Sequence, residues 1–304
     1  MKRFLNITLL QLFIAFISIA QNIHPPSSGT IYNNIARLNT FTRVLYIAAH
    51  PDDENTRLLA WLAQHKHFET AYLSLTRGDG GQNLIGNEQG ATLGLIRTEE
   101  LLTARKIDGA KQFFTSALDF GFSKNPEETF KHWNKNRLVS EVVTIIKQFK
   151  PDIIICRFPP DSRAGHGQHS ASAIIAKLAF EQIYNDNSNP NKPKRIVWNK
   201  FNQDINKQIA DSTSTSTNIG NFIAYQGLGT GEIAGISRSI HKSQGAGTAQ
   251  SIGQQKEYFE YVAGANFQKS IFDDINTSWT KIGYPEIGDQ IQQVLDEFNF
   301  NNPS

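Results

Sequence analysis

The chain has 304 residues, a formal net charge of +2 and a single Cys. The near-balance of charge and the lack of a long basic run argue against a polyanion-binding surface, and so against a nucleic-acid partner. One Cys excludes an internal disulfide, so stability has to come from packing. Cys156 ends the apolar run Ile153-Ile154-Ile155 and is expected to be a small buried hydrophobe.

The first twenty residues read as a leader. Met1-Lys2-Arg3 is basic, residues 4–19 are mostly apolar, and Ser18-Ile19-Ala20 offers small residues for cleavage. Asn6, Thr8 and Gln11 interrupt the apolar run, which is short for a membrane span, so a secretory signal cut after Ala20 is expected in place of a stable membrane anchor. No Cys follows the cut to carry a lipid, and the mature chain is expected in a periplasm or outside the cell. What remains suffices for one large domain over residues 21–300, with 301–304 a disordered tail or the start of a linker.

Beyond the leader, strand and helix patterns alternate. Residues 43–49 read as a first strand and 53–64 as a helix. Residues 70–76 form a second strand, followed by the Gly-rich loop Arg77-Gly78-Asp79-Gly80-Gly81-Gln82-Asn83. A helix over 93–107 follows, and Phe113-Phe114 begins a third strand. An amphipathic helix over 138–149 is ended by Pro151, and 153–156 has the all-apolar character of a strand inside a parallel sheet. Residues 170–184 are an Ala-rich helix and 195–199 a short strand. The Ser/Thr tract within 209–218 is expected to be a mobile surface loop, and 233–243 and 287–298 to be helical. The repeated units predict an α/β fold with a doubly wound, mostly parallel, Rossmann-like sheet flanked by helices, and an irregular C-terminal extension.

The chemistry concentrates where two apolar strands end. The first runs into His50-Pro51-Asp52-Asp53-Glu54, the second leads to His166-Gly167-Gln168-His169. In an α/β sheet the carboxyl ends of strands are where ligands bind. His50, Asp53 and His169 make a two-His, one-carboxylate set, the donor number of a catalytic zinc that keeps one position open. Such a metal lowers the pKa of water towards neutrality, and Asp52, poorly placed to share its neighbour's ligand role, is free to take the proton. His166 is placed to stabilise an oxyanion or to protonate a leaving amine. The donor set also suits iron, cobalt or manganese.

Ala49-His50-Pro51-Asp52-Asp53-Glu54 resembles the AHPDDE signature of the PIG-L / LmbE-like zinc-dependent N-deacetylases, and His166-Gly167-Gln168-His169 resembles their second motif, usually H-x-D-H. The resemblance covers about residues 43–200. It implies metal ligation by His50, Asp53 and His169, Asp52 as general base and His166 as electrophilic or acid partner. It also implies removal of an acetyl group from an N-acetylglucosamine-type sugar or glycoconjugate. Arg97, in Arg97-Thr98-Glu99-Glu100-Leu101, matches a family helix and is implied to contact sugar hydroxyls; Asp119 is implied as an acidic sugar contact. The chain departs at Gln168, where an Asp is usual, and a neutral amide cannot hold His166 as an imidazolium as a carboxylate does.

Each assignment has a plainer competitor. Arg97 and Glu100 could be an exposed intrahelical ion pair, Asp119 a turn residue, and His241 a surface residue, unless a C-terminal segment folds over the pocket and brings it or Arg238 to the substrate. The Gly-rich loop lacks the G-x-x-x-x-G-K-S/T pattern and is not a nucleotide cradle. Gln168 also motivates a second functional reading, a catalytically impaired glycan-binding module derived from such a deacetylase.

Overall fold

A computed structural model describes residues 26–200, 214–245 and 247–303. The predicted leader and residues 209–213 of the Ser/Thr tract lie outside them. Helix α1 (Ser28–Arg37) precedes β1 (Arg43–Ala48), whose residues from Val44 onwards are all buried. Helix α2 (Thr56–Ala60) opens later than the pattern predicts, because the Asn55 side chain accepts from the Leu58 amide and so sets the first turn beyond the two Asp residues. It runs on into a π-helical turn, Trp61–His65.

Strand β2 (Glu69–Ser74) pairs parallel to β1, with Tyr46 opposite Tyr72. After α3 (Ala91–Asp108), ended by Gly109 in the left-handed region, comes β3 (Lys111–Phe114); Phe113 and Phe114 close this strand where the sequence suggested they begin it. Helices α4 (Pro126–His132) and α5 (Lys135–Phe149) lead to β4 (Ile153–Cys156), which pairs parallel with β1 on the side away from β2. Helix α6 (Gly167–Tyr184) starts three residues before the predicted 170, which places His169 inside its first turn. Strand β5 (Arg195–Asn199) extends the parallel part.

The second half of the predicted loop is a strand: β6 (Ser214–Asn218) pairs antiparallel with β9 (Lys256–Gly264), with Thr215 opposite Phe259. Thr-rich sequences suit a half-exposed edge, and composition alone cannot separate such an edge from a loop. A small ribbon of β7 (Phe222–Ile223) and β8 (Leu228–Gly229) leads into α7 (Thr230–Arg238). That helix stops earlier than predicted, and a 3-10 turn, Lys242–Gln244, follows. Helix α8 (Pro285–Asp296) comes last. No helix among the described residues is long and apolar enough to cross a membrane.

The strand order is β3-β2-β1-β4-β5-β9-β6, with the first five parallel and the last two antiparallel to their neighbours. The chain winds outwards from β1 on one side, then returns to place β4 on the other. The reversal opens a crevice between β1 and β4 at their carboxyl ends. Side chains of β1 alternate between two cores. Leu45 and Ile47 pack with Val142 and Ile146 of α5 and Ile175 and Ala179 of α6, while Val44, Tyr46 and Ala48 pack with Leu58, Leu59 and Leu101. Ile154, fully buried in β4 between β1 and β5, should therefore tolerate truncation poorly. Ile154→Ala is expected to cost about 2–5 kcal/mol, measured by the midpoint of urea unfolding.

Candidate metal centre and active site

The turn after β1 is tied down before any ligand is considered. Thr76 donates to the Ala49 carbonyl through both its amide (2.9 Å) and its hydroxyl (3.0 Å), and the Tyr72 hydroxyl donates to the His50 carbonyl. Asp52 then takes φ +84°, a conformation L residues avoid, and the chain reverses so that the two Asp side chains diverge. Asp53 turns towards His50 and His169, Asp52 towards Arg97 and Arg238.

His50 Nδ1 lies 3.1 Å from Asp53 Oδ2, and His169 Nε2 lies 3.5 Å from Asp53 Oδ1. One donor atom from each residue falls within 4.8 Å of the others. Donors about 2.1 Å from a tetrahedral ion stand about 3.4 Å apart, so these spacings fit a single divalent cation. Each donor is also oriented from behind. The Asp53 carboxylate accepts from the His50 amide at 2.7 Å. The His169 Nδ1 faces the Ala164 carbonyl, turning Nε2 to the site, and Phe158 stacks on its ring at 3.8 Å and 5°. His50 Nε2 lies 2.8 Å from Gln168 Oε1. The Gln168 amide nitrogen donates to the Gly121 carbonyl at 2.6 Å and to Asp119 at 3.2 Å, so its oxygen must face His50 and Nδ1 is left for the cation.

The charges of these three groups are set by one another. Burial works against a charged His50 ring, but Asp53, with Asp119 and Gln168 behind it, raises its pKa to about 9. Burial likewise opposes ionisation of Asp53, yet His169 and His50 hold it well below the carboxylate range. His169 is lowered by burial, against the pull of Asp53.

Three expectations change with these contacts. Gln168 does not serve His166 with its side chain; it is fully buried and serves His50. Asp119 is engaged by the Gly121 amide and by Gln168, a turn and support role beside the pocket that it still lines. Arg97 is not paired with Glu100, which instead accepts from the Ser243 amide and hydroxyl. Buried to 3% exposure, Arg97 donates to the Gly78 carbonyl, the Pro51 carbonyl and Asp52 Oδ1, so most of its guanidinium serves the turn, while its Nε has no partner among the described residues and the side chain lines the cleft. The Gly-rich loop wraps this guanidinium: a Cβ on Gly78 or Gly81 would sit 2.4 Å from Arg97 Nη1.

His166 caps α6, its Nδ1 accepting from the Gln168 amide at 3.0 Å, which puts the proton of the neutral ring on Nε2. Burial and the neighbouring His169 and His50 lower its pKa to about 4, so the ring is a neutral donor at pH 7. His50, Asp52, Asp53, His166 and His169 share one open cleft of about 390 Å³ with Gly80, Phe122 and Gln244.

Residues 238–244 do fold back to this end of the sheet, as the alternative raised for Arg238 and His241 allowed. His241, expected at the surface, is buried, and its Nε2 lies 2.9 Å from Glu54 Oε1. Glu54 also accepts from Arg105 and from the Asp52 amide. Burial disfavours its charge, but His241 and Arg105 outweigh this and lower its pKa to about 2.

Comparison with known proteins fits this geometry. Residues 45–180 match the family model described as PIG-L, GlcNAc-PI de-N-acetylase. A mycothiol S-conjugate amidase of Streptomyces coelicolor is 24% identical over 53% of this chain and 62% of its own length. A diacetylchitobiose deacetylase of Thermococcus kodakarensis is 31% identical over 49% of this chain and 54% of its own. The chain thus spans less than two thirds of either relative. Among solved structures, an N,N'-diacetylchitobiose deacetylase from Pyrococcus horikoshii superposes with a TM-score of 0.46 at 16% identity, covering 70% of this chain and 74% of that one.

Both histidine motifs fall within the matched residues 45–180, whereas Arg238, His241 and Gln244 lie beyond them. If His50, Asp53 and His169 hold the ion, His169→Ala should no longer retain stoichiometric metal. Gln168→Ala should bind metal about 10–100-fold more weakly. Competition against a chelator of known affinity measures both, and unchanged affinity in either variant would count against that residue's role.

Proposed function

We propose that this chain is an exported, zinc-dependent hydrolase that removes the acetyl group from an N-acetylglucosamine-type sugar or glycoconjugate. The observation that carries the reading is the convergence of His50, Asp53 and His169 at the sheet's reversal point with Asp52 alongside, inside the matched residues 45–180. The names of the relatives, an amidase and a chitobiose deacetylase, point to the same bond type. Export rests on the leader-like residues 1–20.

The donor set fits a divalent metal, and His50, Asp53 and His169 would hold it. When bound, such an ion polarises a carbonyl and makes water acidic enough to lose a proton near neutral pH. The remaining work falls to side chains. Asp52 accepts the proton as the water oxygen bonds to the acetyl carbon: Arg97 and Arg238 each approach a different carboxylate oxygen, and each oxygen keeps a lone pair. Burial and the nearby Asp53 raise Asp52 above the usual carboxylate range, against both arginines, which suits a base. His166 offers Nε2–H to the developing oxyanion, the donor role of the two left open by its spacing. Asp52 then returns the proton to nitrogen as the C–N bond breaks, releasing acetate and the free amine.

A binding-only role drew its motive from Gln168, and that residue has a structural task on His50, so the hydrolase is the better supported reading. Acetate release from a panel of N-acetylated sugars should appear with added zinc and vanish on chelation. No release from a protein carrying stoichiometric metal would overturn the proposal. Asp52→Ala should keep its metal and lose about 10²–10⁴-fold in turnover.

A further inference from the structure

Asp52 is held from every side, and half of the grip comes from outside the matched residues 45–180. Its amide donates to Glu54 Oε2 at 2.9 Å, and Arg97 takes Oδ1 at 2.8 Å. The remaining carboxylate oxygen lies 3.3 Å from Arg238 Nη2, and the Asp52 carbonyl accepts from Arg238 Nη1. A non-Gly residue at φ +84° is strained and persists only where its surroundings over-determine it.

Arg238 is itself well placed to do this. It is the last residue of α7, whose Ile233 and Ser237 are buried, and Ser237 donates to Asp108 at 2.8 Å. The following turn is pinned to α3 through Ser243 and Glu100, and to the Gly-rich loop through Gln244 and the Gln82 carbonyl at 2.7 Å. The guanidinium thus leaves a fixed helix end and meets the backbone of one residue with Nη1 and its side chain with Nη2, two nitrogens at a fixed spacing where an ammonium offers one.

We propose that Arg238 is a positioning residue of the hydrolytic centre: it fixes the Asp52 carboxylate at the angle from which that group takes the proton of water. The inference rests on the deacetylase reading for its chemistry, but on the fold alone for its geometry. The competing role is a cation at a helix C-terminus, stabilising the dipole and nothing else.

The test uses the full mature chain with Arg238→Ala and Arg238→Lys. Metal content and melting temperature are measured first, and the Lys variant carries the test if the Ala variant does not fold. We expect kcat to fall about 100-fold with KM little changed, as for a misplaced catalytic group. Lys should fail to restore it, because it keeps charge but not the fork. Guanidinium ion added well below denaturing levels should recover much of the loss in Arg238→Ala, since the side chain is one-third exposed at 33%, but not in Arg97→Ala, where it is 4% exposed. A wild-type kcat in Arg238→Ala, or full recovery by Lys, would overturn the proposal. Crystal structures of wild type and variant separate this from the functional reading. If wild type releases no acetate, the deacetylase assignment falls, and a displaced Asp52 in the variant still upholds the positioning role. An Asp52 left unmoved overturns it whatever the kinetics.

Discussion

The active-site end of this fold depends on one buried carboxylate. Glu54 is almost wholly removed from solvent, and an unpaired charge there would be prohibitive. It is satisfied by Arg105 from α3, by His241 from beyond α7 and by the Asp52 amide. Arg105 is fixed in turn by a bidentate pair with Asp108, which Ser237 also reaches. Two separate stretches of chain, α3 and the segment from Ser237 to His241, are therefore locked to the turn that presents His50, Asp52 and Asp53. Glu54 does no chemistry in this arrangement, yet it determines where the chemistry can occur.

Sheet topology supplies the other half. With β1 and β4 adjacent and parallel, the turn after one and the loop after the other open on the same edge, although their histidines are more than a hundred positions apart. Helix α6 then begins at His166 and carries His169 on its first turn, so one backbone event orients both rings. The amide of Gln168, between them, points across the crevice to His50 and binds the two motifs to each other.

Much of this was legible in the sequence. An apolar run that stops at His50 marks both the strand and the candidate site, because it sets a His and two carboxylates at the carboxyl end of a buried strand. The all-apolar Ile153–Cys156 was equally plain. What could not be read were the contacts of long reach. Nothing local distinguishes Gln168 as a support for His50, because its target lies 118 residues away. Arg97 and Glu100 share a helix and look like partners, but burial sends one to Asp52 and the other to Ser243. Residues 214–218 read as loop because Ser and Thr mark both turns and exposed strand edges, and only β9 decides between them.

The span of those contacts bears on how the molecule comes to be folded. Arg238 meets Asp52 across 186 positions and His241 meets Glu54 across 187. Pairings of that separation form late, since most of the chain must be ordered before they repay the loss of freedom. While residues 26–200 are being made, Glu54 and Asp108 have Arg105 but neither His241 nor Ser237, and the turn at Asp52 has nothing to hold its left-handed backbone on the side that Arg238 will occupy. The candidate site is thus among the last of the described parts to acquire its final shape, completed by residues 238–241.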